Sequence, residues 1–115
     1  MTKSYQSITK DISQYAGELQ KAMPEGMKGF YAMSAAATKD GLIDKKTKEF
    51  IALSIGITQH CDGCIGFHIK TLIKLGATRD EIAEVLMMCV YMGGGPALMY
   101  AADALRAFDE FTQNN

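Results

Sequence analysis

Apolar residues recur every three or four positions along most of the chain, and no stretch of strand length alternates with period two. Tyr5, Ile8, Ile12, Tyr15, Leu19 and Ala22 follow one another at 3-4-3-4-3 spacing, with polar side chains between them. This predicts a first helix with a narrow apolar seam. It closes before Pro24, because a proline forces the preceding residue out of the helical region. An alanine-rich run from about Gly26 to Thr38 predicts a second helix, ending near Lys39-Asp40-Gly41. Asp44 is placed to N-cap a third that runs to about Thr58. From Phe50 to Ile57 that helix is apolar nearly all round, the pattern of an element covered on every side.

A fourth helix is predicted from near Asp62 to Gly76, a residue suited to the left-handed stop. Thr78 and Glu81 then form a capping box that opens a fifth helix to Met92. Gly93-Gly94-Gly95 interrupts it, and Pro96 restarts the chain at a first-turn position where its missing donor costs nothing. Leu98, Ala101, Ala102, Leu105 and Phe108 are the expected buried stripe of the last segment. The fold class is all-α, five or six helices in one domain over residues 1–115.

Composition narrows the function classes. Among 115 residues, 12 Lys and Arg face 13 Asp and Glu, giving a net charge of −1 and no basic footprint for nucleic acid. The first residues carry no apolar signal-like segment, so the expected compartment is the cytoplasm. Val85 to Ala102 is uncharged for 18 residues. The Gly93-Gly94-Gly95-Pro96 break divides it into pieces too short to span a bilayer, so no membrane partner is expected. The apolar excess from Val85 to Met92, with adaptable Met87, Met88, Met92 and Met99, predicts a homo-oligomer.

Chemistry concentrates between Glu49 and His68. Cysteines stand at 61, 64 and 89 only, which is no disulfide framework. With a helix starting near Asp62, Cys64 and His68 are four apart and share a face, with Cys61 beside them at the helix start. A free cysteine has a pKa of about 8.5, and helix-start N–H groups together with an imidazolium lower it. Cys64 is therefore a candidate nucleophile with His68 as its base. A tight connection near Gln59 to Cys61 pairs the third and fourth helices as an antiparallel hairpin. Reflection about residue 60 then brings Glu49 within a turn of His68, where a carboxylate can fix the imidazole tautomer. The competing placement has Glu49 in solvent, paired with Lys45 or Lys70. A Cys61–Cys64 disulfide is feasible, and two other readings stay open for the pair: a zinc site with His68 and either His60 or Glu49, and inert thiols. Cys89, inside an apolar helix, reads as an inert core thiol.

The order Glu49, Cys61, Cys64, His68, with eleven, two and three residues between successive members, resembles the carboxymuconolactone decarboxylase-like superfamily in its AhpD-type alkylhydroperoxidase branch. The segments Lys74 to Ile82 and Tyr91 to Ala97 are similar to the family as well, and the resemblance is strongest over residues 42–108. It implies an all-helical fold assembled as trimers or hexamers, and thiol-dependent reduction of hydroperoxides. Carried onto this chain, Cys64 attacks the peroxide, Cys61 resolves the product, and His68 with Glu49 relays protons. The resemblance calls for no bound cofactor or metal, but for an external dithiol or thiol-protein reductant. His60, just before the first cysteine, is a possible accessory that touches a thiol or solvates the turn. The alternatives are a decarboxylase-like lyase, which has no need of a thiol pair, and a non-enzymatic redox-sensing or zinc-stabilised helical module.

Overall fold

The computed structural model describes residues 3–113, and among them there is no strand. Five helices follow in order: α1 (Tyr5–Ala22), α2 (Pro24–Ala37), α3 (Lys45–Thr58), α4 (Asp62–Lys74) and α5 (Arg79–Gln113). Local chemistry sets most of their ends. The Ser4 hydroxyl accepts from the Ser7 N–H at 3.2 Å, and the Asp44 carboxylate from the Thr47 N–H at 2.8 Å. Pro24 sits in the first turn of α2, two residues earlier than the predicted start, because a proline there closes α1 and opens α2 at once. Gly76 has φ 84°, which lets the Ala77 N–H reach back to the Leu72 carbonyl at 2.9 Å and close α4. At the head of α5 the capping box is complete: the Thr78 hydroxyl accepts from the Glu81 N–H, and the Glu81 carboxylate from the Thr78 N–H.

The span of α5 is helical on both sides of Gly94, but Gly94 itself has φ 72° and ψ −155°, so the helix is broken there into two arms. By length and composition α5 could cross a membrane. With the break, neither arm offers about 20 uninterrupted apolar residues. The expected interruption is found, centred on Gly94.

The core forms where α4 is enclosed by α3, α1 and α5. Ile65, Ile69 and Leu72 of α4 meet Leu53 and Ile57 of α3 and Ile82 and Leu86 of α5. The second arm of α5 contributes Ala97, Ala101, Ala104 and Ala107. This differs from the expected stripe: Leu98 is 48% exposed and Ala102 is exposed, while Leu105 and Phe108 are only partly buried. Small side chains face inward because they allow the arm to approach closely, and the larger ones flank the contact.

Two other apolar faces are not covered as the pattern implied. The α1 seam is buried at Tyr5 and then opens, with Tyr15 and Leu19 exposed; α3 likewise shows Ile51 and Ile55 to the outside. Among the α2 residues none is buried, and Met87, Met88, Tyr91 and Met92 of α5 also lie outward. Periodicity marks which residues share a face, while the number of neighbouring helices decides which faces are covered.

Gly66 shows how closely α1 and α4 approach. A Cβ there would lie 2.5 Å from Thr9 Cγ2 and 3.4 Å from Tyr5 Cδ1, whereas at Gly29 of α2 it would meet nothing within 4 Å. Gly66→Ala is expected to destabilise by about 1–3 kcal/mol through overpacking. Gly29→Ala, in contrast, is expected to stabilise by about 0.5–1 kcal/mol through helix propensity. Urea denaturation of both variants checks the difference.

The acid limb of stability has named contributors. The Thr78 N–H and the Lys46 ammonium hold the Glu81 carboxyl below its ordinary value, and a bidentate pair with Arg79 does the same for Asp109. A depressed folded-state value means the contribution is present above the ordinary carboxylate range and is lost as pH falls through the folded values. Both groups lie at the surface, so the expected effect is small. Glu81→Gln is expected to shallow the fall of Tm below pH 4.5, the ordinary glutamate value, and Asp109→Asn below pH 3.8, the ordinary aspartate value. Thermal melts across that range measure it.

Candidate active site

The connection between α3 and α4 is only three residues long and fixes the cysteines. The His60 N–H donates to the Ile57 carbonyl and the Cys61 N–H to the Gly56 carbonyl, at 3.1 and 2.9 Å. His60 takes φ 57°, a left-handed conformation that costs an L residue roughly 1–2 kcal/mol. This turns the chain back so that Cys61 becomes the N-cap of α4. Its sulfur accepts from the Cys64 N–H at 3.1 Å. Cys61 and Cys64 are joined as a disulfide, with their Cα atoms 5.3 Å apart. Both residues are half-buried at the head of the helix. Cys89 is free and buried in the core, as its apolar surroundings implied.

One turn below Cys64 on α4 stands His68. Its Nδ1 lies 2.7 Å from Glu49 Oε1, with the carboxylate side chain 5% exposed and the imidazole 31% exposed. Glu49 is thus inside the α3–α4 contact, and the alternative of a solvent-facing pair with Lys45 or Lys70 does not hold. With Nδ1 against the carboxylate, the other ring nitrogen, Nε2, is the one left to exchange a proton. A buried carboxylate held by a single imidazole orients that ring, which the rest of the helix face cannot do.

Gly56 makes the approach possible. A Cβ on it would lie 2.8 Å from Cys64 Cβ, so α3 presents bare backbone where the second cysteine crosses it. No reading of motif spacing marks this residue. The available signal is a glycine inside a helical stretch, seven residues after Glu49 and thus on the same face.

His60 is exposed at the turn, as the turn-solvating role expects, and it makes a contact that neither expected role included. Its ring stacks on Tyr100 of α5, with centroids 4.6 Å apart and planes 5° from parallel. Lys3 Nζ lies 4.8 Å from the same Tyr100 ring and bridges Asp62 and Asp103 at 3.0 and 2.9 Å. Tyr5, fully buried, donates its hydroxyl to Asp62 at 2.8 Å. Burial, then the Asp62 hydrogen bond, pushes its phenol well above the ordinary value. This network ties the first residue of α4 to α1 and α5. Sequence reasoning missed it because Lys3, Asp62 and Asp103 are far apart in the chain.

The fold and the site now define a class: a small all-α protein with a half-buried CxxC pair beside a carboxylate-held histidine. Residues 24–107 match the carboxymuconolactone decarboxylase family model. The chain is 57% identical to apo-lpg0406, a family member from Legionella pneumophila, with TM-score 0.92, covering 94% of this chain and 96% of that one. A Thermotoga maritima family protein, TM1620, described as a candidate for involvement in the antioxidative response, is 28% identical. It superposes with TM-score 0.72, over 77% of this chain and 92% of that one. An uncharacterized Cupriavidus necator protein, H16_B0147, is 38% identical over 95% of this chain and 96% of its own length. This protein belongs to the carboxymuconolactone decarboxylase family, and its CxxC pair fits the AhpD-type branch.

Because Gly56 sets the α3–α4 separation at Cys64, Gly56→Ala is expected to cost about 1–3 kcal/mol and to displace the head of α4. The variant is expected to show a lower Tm together with a changed rate of alkylation of the reduced cysteines. A change in Tm without any change in thiol reactivity would mean that the site tolerates the shift.

Proposed function

We propose that this protein is a thiol-dependent peroxidase of the alkylhydroperoxidase type, cycling Cys61 and Cys64 between dithiol and disulfide. The observation that carries the reading is the hydrogen bond of buried Glu49 to His68, which stands one helical turn along α4 from Cys64, itself bonded to Cys61. Family membership supports an AhpD-like redox role at the family level, and the lyase alternative makes no use of a paired CxxC.

In the reduced protein, Nε2 of His68 takes the proton from the Cys64 thiol while Glu49 steadies the resulting imidazolium. The thiolate attacks the terminal oxygen of a hydroperoxide ROOH. The O–O bond breaks, sulfur becomes a sulfenic acid, and the alkoxide leaves as ROH with the proton returned by His68. The Cys61 thiol then displaces hydroxide from the sulfenic sulfur, forming the disulfide and releasing water. An external dithiol or thiol protein restores the pair by exchange, itself becoming a disulfide. The free helix-start N–H groups of α4 favour the thiolate at both stages. No bound cofactor or metal enters the cycle. The working form in this reading is a cytoplasmic homo-oligomer, for which the outward apolar residues of α2 and α5 offer surface.

The test begins from the reduced protein and one equivalent of organic hydroperoxide, followed by intact and peptide-mapped masses. The wild type is expected to lose two hydrogens, mapped to Cys61–Cys64. Cys64→Ser is expected to abolish turnover, and Cys61→Ser to stop at a sulfenic acid on Cys64 that dimedone traps. His68→Ala is expected to slow thiol oxidation by roughly 10²-fold or more, the usual contribution of a positioned base. Full turnover in Cys64→Ser, or thiols unaltered by peroxide, would sink the scheme and favour a binding module.

A further inference from the structure

Lys3 approaches the dithiol from both flanks of Cys61. Its ammonium lies 3.0 Å from Oδ1 of Asp62, the residue after Cys61. It also lies 4.8 Å from the ring of Tyr100, on which His60, the residue before Cys61, is stacked. A third contact, to Asp103 Oδ2 at 2.9 Å, completes its anchorage on α4 and α5. Asp103 has a further partner in Arg106, at 3.6 Å on its other oxygen.

Asp62 is the group that calls for such a partner. At the first position of α4 its carboxylate can compete with sulfur for the free N–H groups of the helix start, and its charge opposes a thiolate nearby. The structure removes the first effect and offsets the second. Asp62 Oδ1 accepts from the Tyr5 hydroxyl at 2.8 Å and from Lys3, while the Cys64 N–H is left to Cys61 Sγ at 3.1 Å. The Asp103 hydrogen bond, with help from Asp62, holds the Lys3 ammonium above its ordinary value, so it is a cation wherever a thiol ionises. The other charged or titratable groups around the pair are engaged elsewhere. Glu49 is bonded to His68, Arg106 leans on Asp103, and His60 is stacked on Tyr100. Among the described residues Lys3 is the cation paired with Asp62.

We infer that Lys3 is a positioning residue of the dithiol site, acting through Asp62 to keep the head of α4 favourable to the thiolate of the reduced pair. The inference rests on the proposed cycle only in that the reduced pair ionises. Without the Lys3 charge, Asp62 stands uncompensated next to Cys61, too near for salt to screen it fully. The thiolate becomes costlier and the thiol pKa rises. Lys3 and Asp62 are 38% and 35% exposed, so solvent tempers the effect without abolishing it.

The pH profile of iodoacetamide alkylation in the reduced protein, with the site mapped by peptide mass, gives the thiol pKa with no peroxide present. Lys3→Met is expected to move the profile up by about half a pH unit or more, so that below its midpoint the rate falls about threefold or more. Lys3→Arg is expected to keep the wild-type profile. Asp62→Asn, which retains an oxygen for Tyr5, is expected to move it the opposite way. The double variant Lys3→Met, Asp62→Asn is expected to return close to the wild type.

A Lys3→Met profile that matches the wild type overturns the assignment. So does a shift that Lys3→Arg shares, or one that adding Asp62→Asn does not reverse, since a purely structural clamp is only loosened further by the second substitution. If Lys3→Met does not fold, Asp62→Asn alone decides, and a profile not moved to lower pH overturns the assignment. Wild-type thiols that ionise but ignore hydroperoxide overturn the peroxidase reading and leave this one standing on its own measurement.

Discussion

The close passage of α4 across α3 is the constraint on which the site depends. A glycine on α3 and a three-residue connection bring the head of α4 against bare backbone, and everything reactive lies along that contact. Had residue 56 a side chain, Cys64 would stand further out. The Glu49–His68 hydrogen bond, 2.7 Å long and mostly shielded, would then have to stretch or tilt with the helix. A buried carboxylate with a single imidazole partner is costly to leave unpaired, so the bond orients the ring and also holds the two helices in register.

The same helix end is held from its other side by charge. Asp62 accepts from Tyr5 and Lys3, Lys3 reaches Asp103, and Glu110 caps α1 by accepting from the N–H groups of Tyr5 and Gln6. Chain segments from both termini thus converge on the first turn of α4. Asp62 at that turn is favourable to the helix dipole but adverse to a neighbouring thiolate, and Lys3 offsets its charge. The left-handed backbone of His60, braced by its stack on Tyr100, completes a turn whose shape is set by tertiary contacts as much as by its own sequence. Such local strain persists where surrounding contacts over-determine it.

Around this fixed centre the molecule leaves much apolar surface outside. The buried atoms cluster along α4, whereas α2 and the first arm of α5 present Phe30, Met33, Met87, Met88 and Tyr91 outward. Even the central helix, α4, is fully buried only at Ile65, Gly66, Ile69 and Leu72. The others bury one face each, and the remaining faces are what a ligand or another chain can use.

The all-α character, the helix ends and the spacing of Glu49, Cys61, Cys64 and His68 were legible from residue order, because caps, glycine stops and the 3.6-residue repeat are local properties. So was the break before Pro96. The sequence placed Glu49 near His68 by hairpin symmetry but left its solvent alternative open, since burial is not a property of spacing. The inward stripe of the last segment was placed in part: Ala101 is buried as expected and Leu105 and Phe108 pack partly buried against the core, but Leu98 and Ala102 lie outward, and close packing selected Ala97, Ala104 and Ala107 in their stead. Tertiary structure alone decided the Lys3–Asp62–Asp103 bridge, the His60–Tyr100 stack and the Gly56 approach. Each joins residues from different helices, and their meeting depends on the angle and separation of those helices, quantities that no periodicity along one chain encodes.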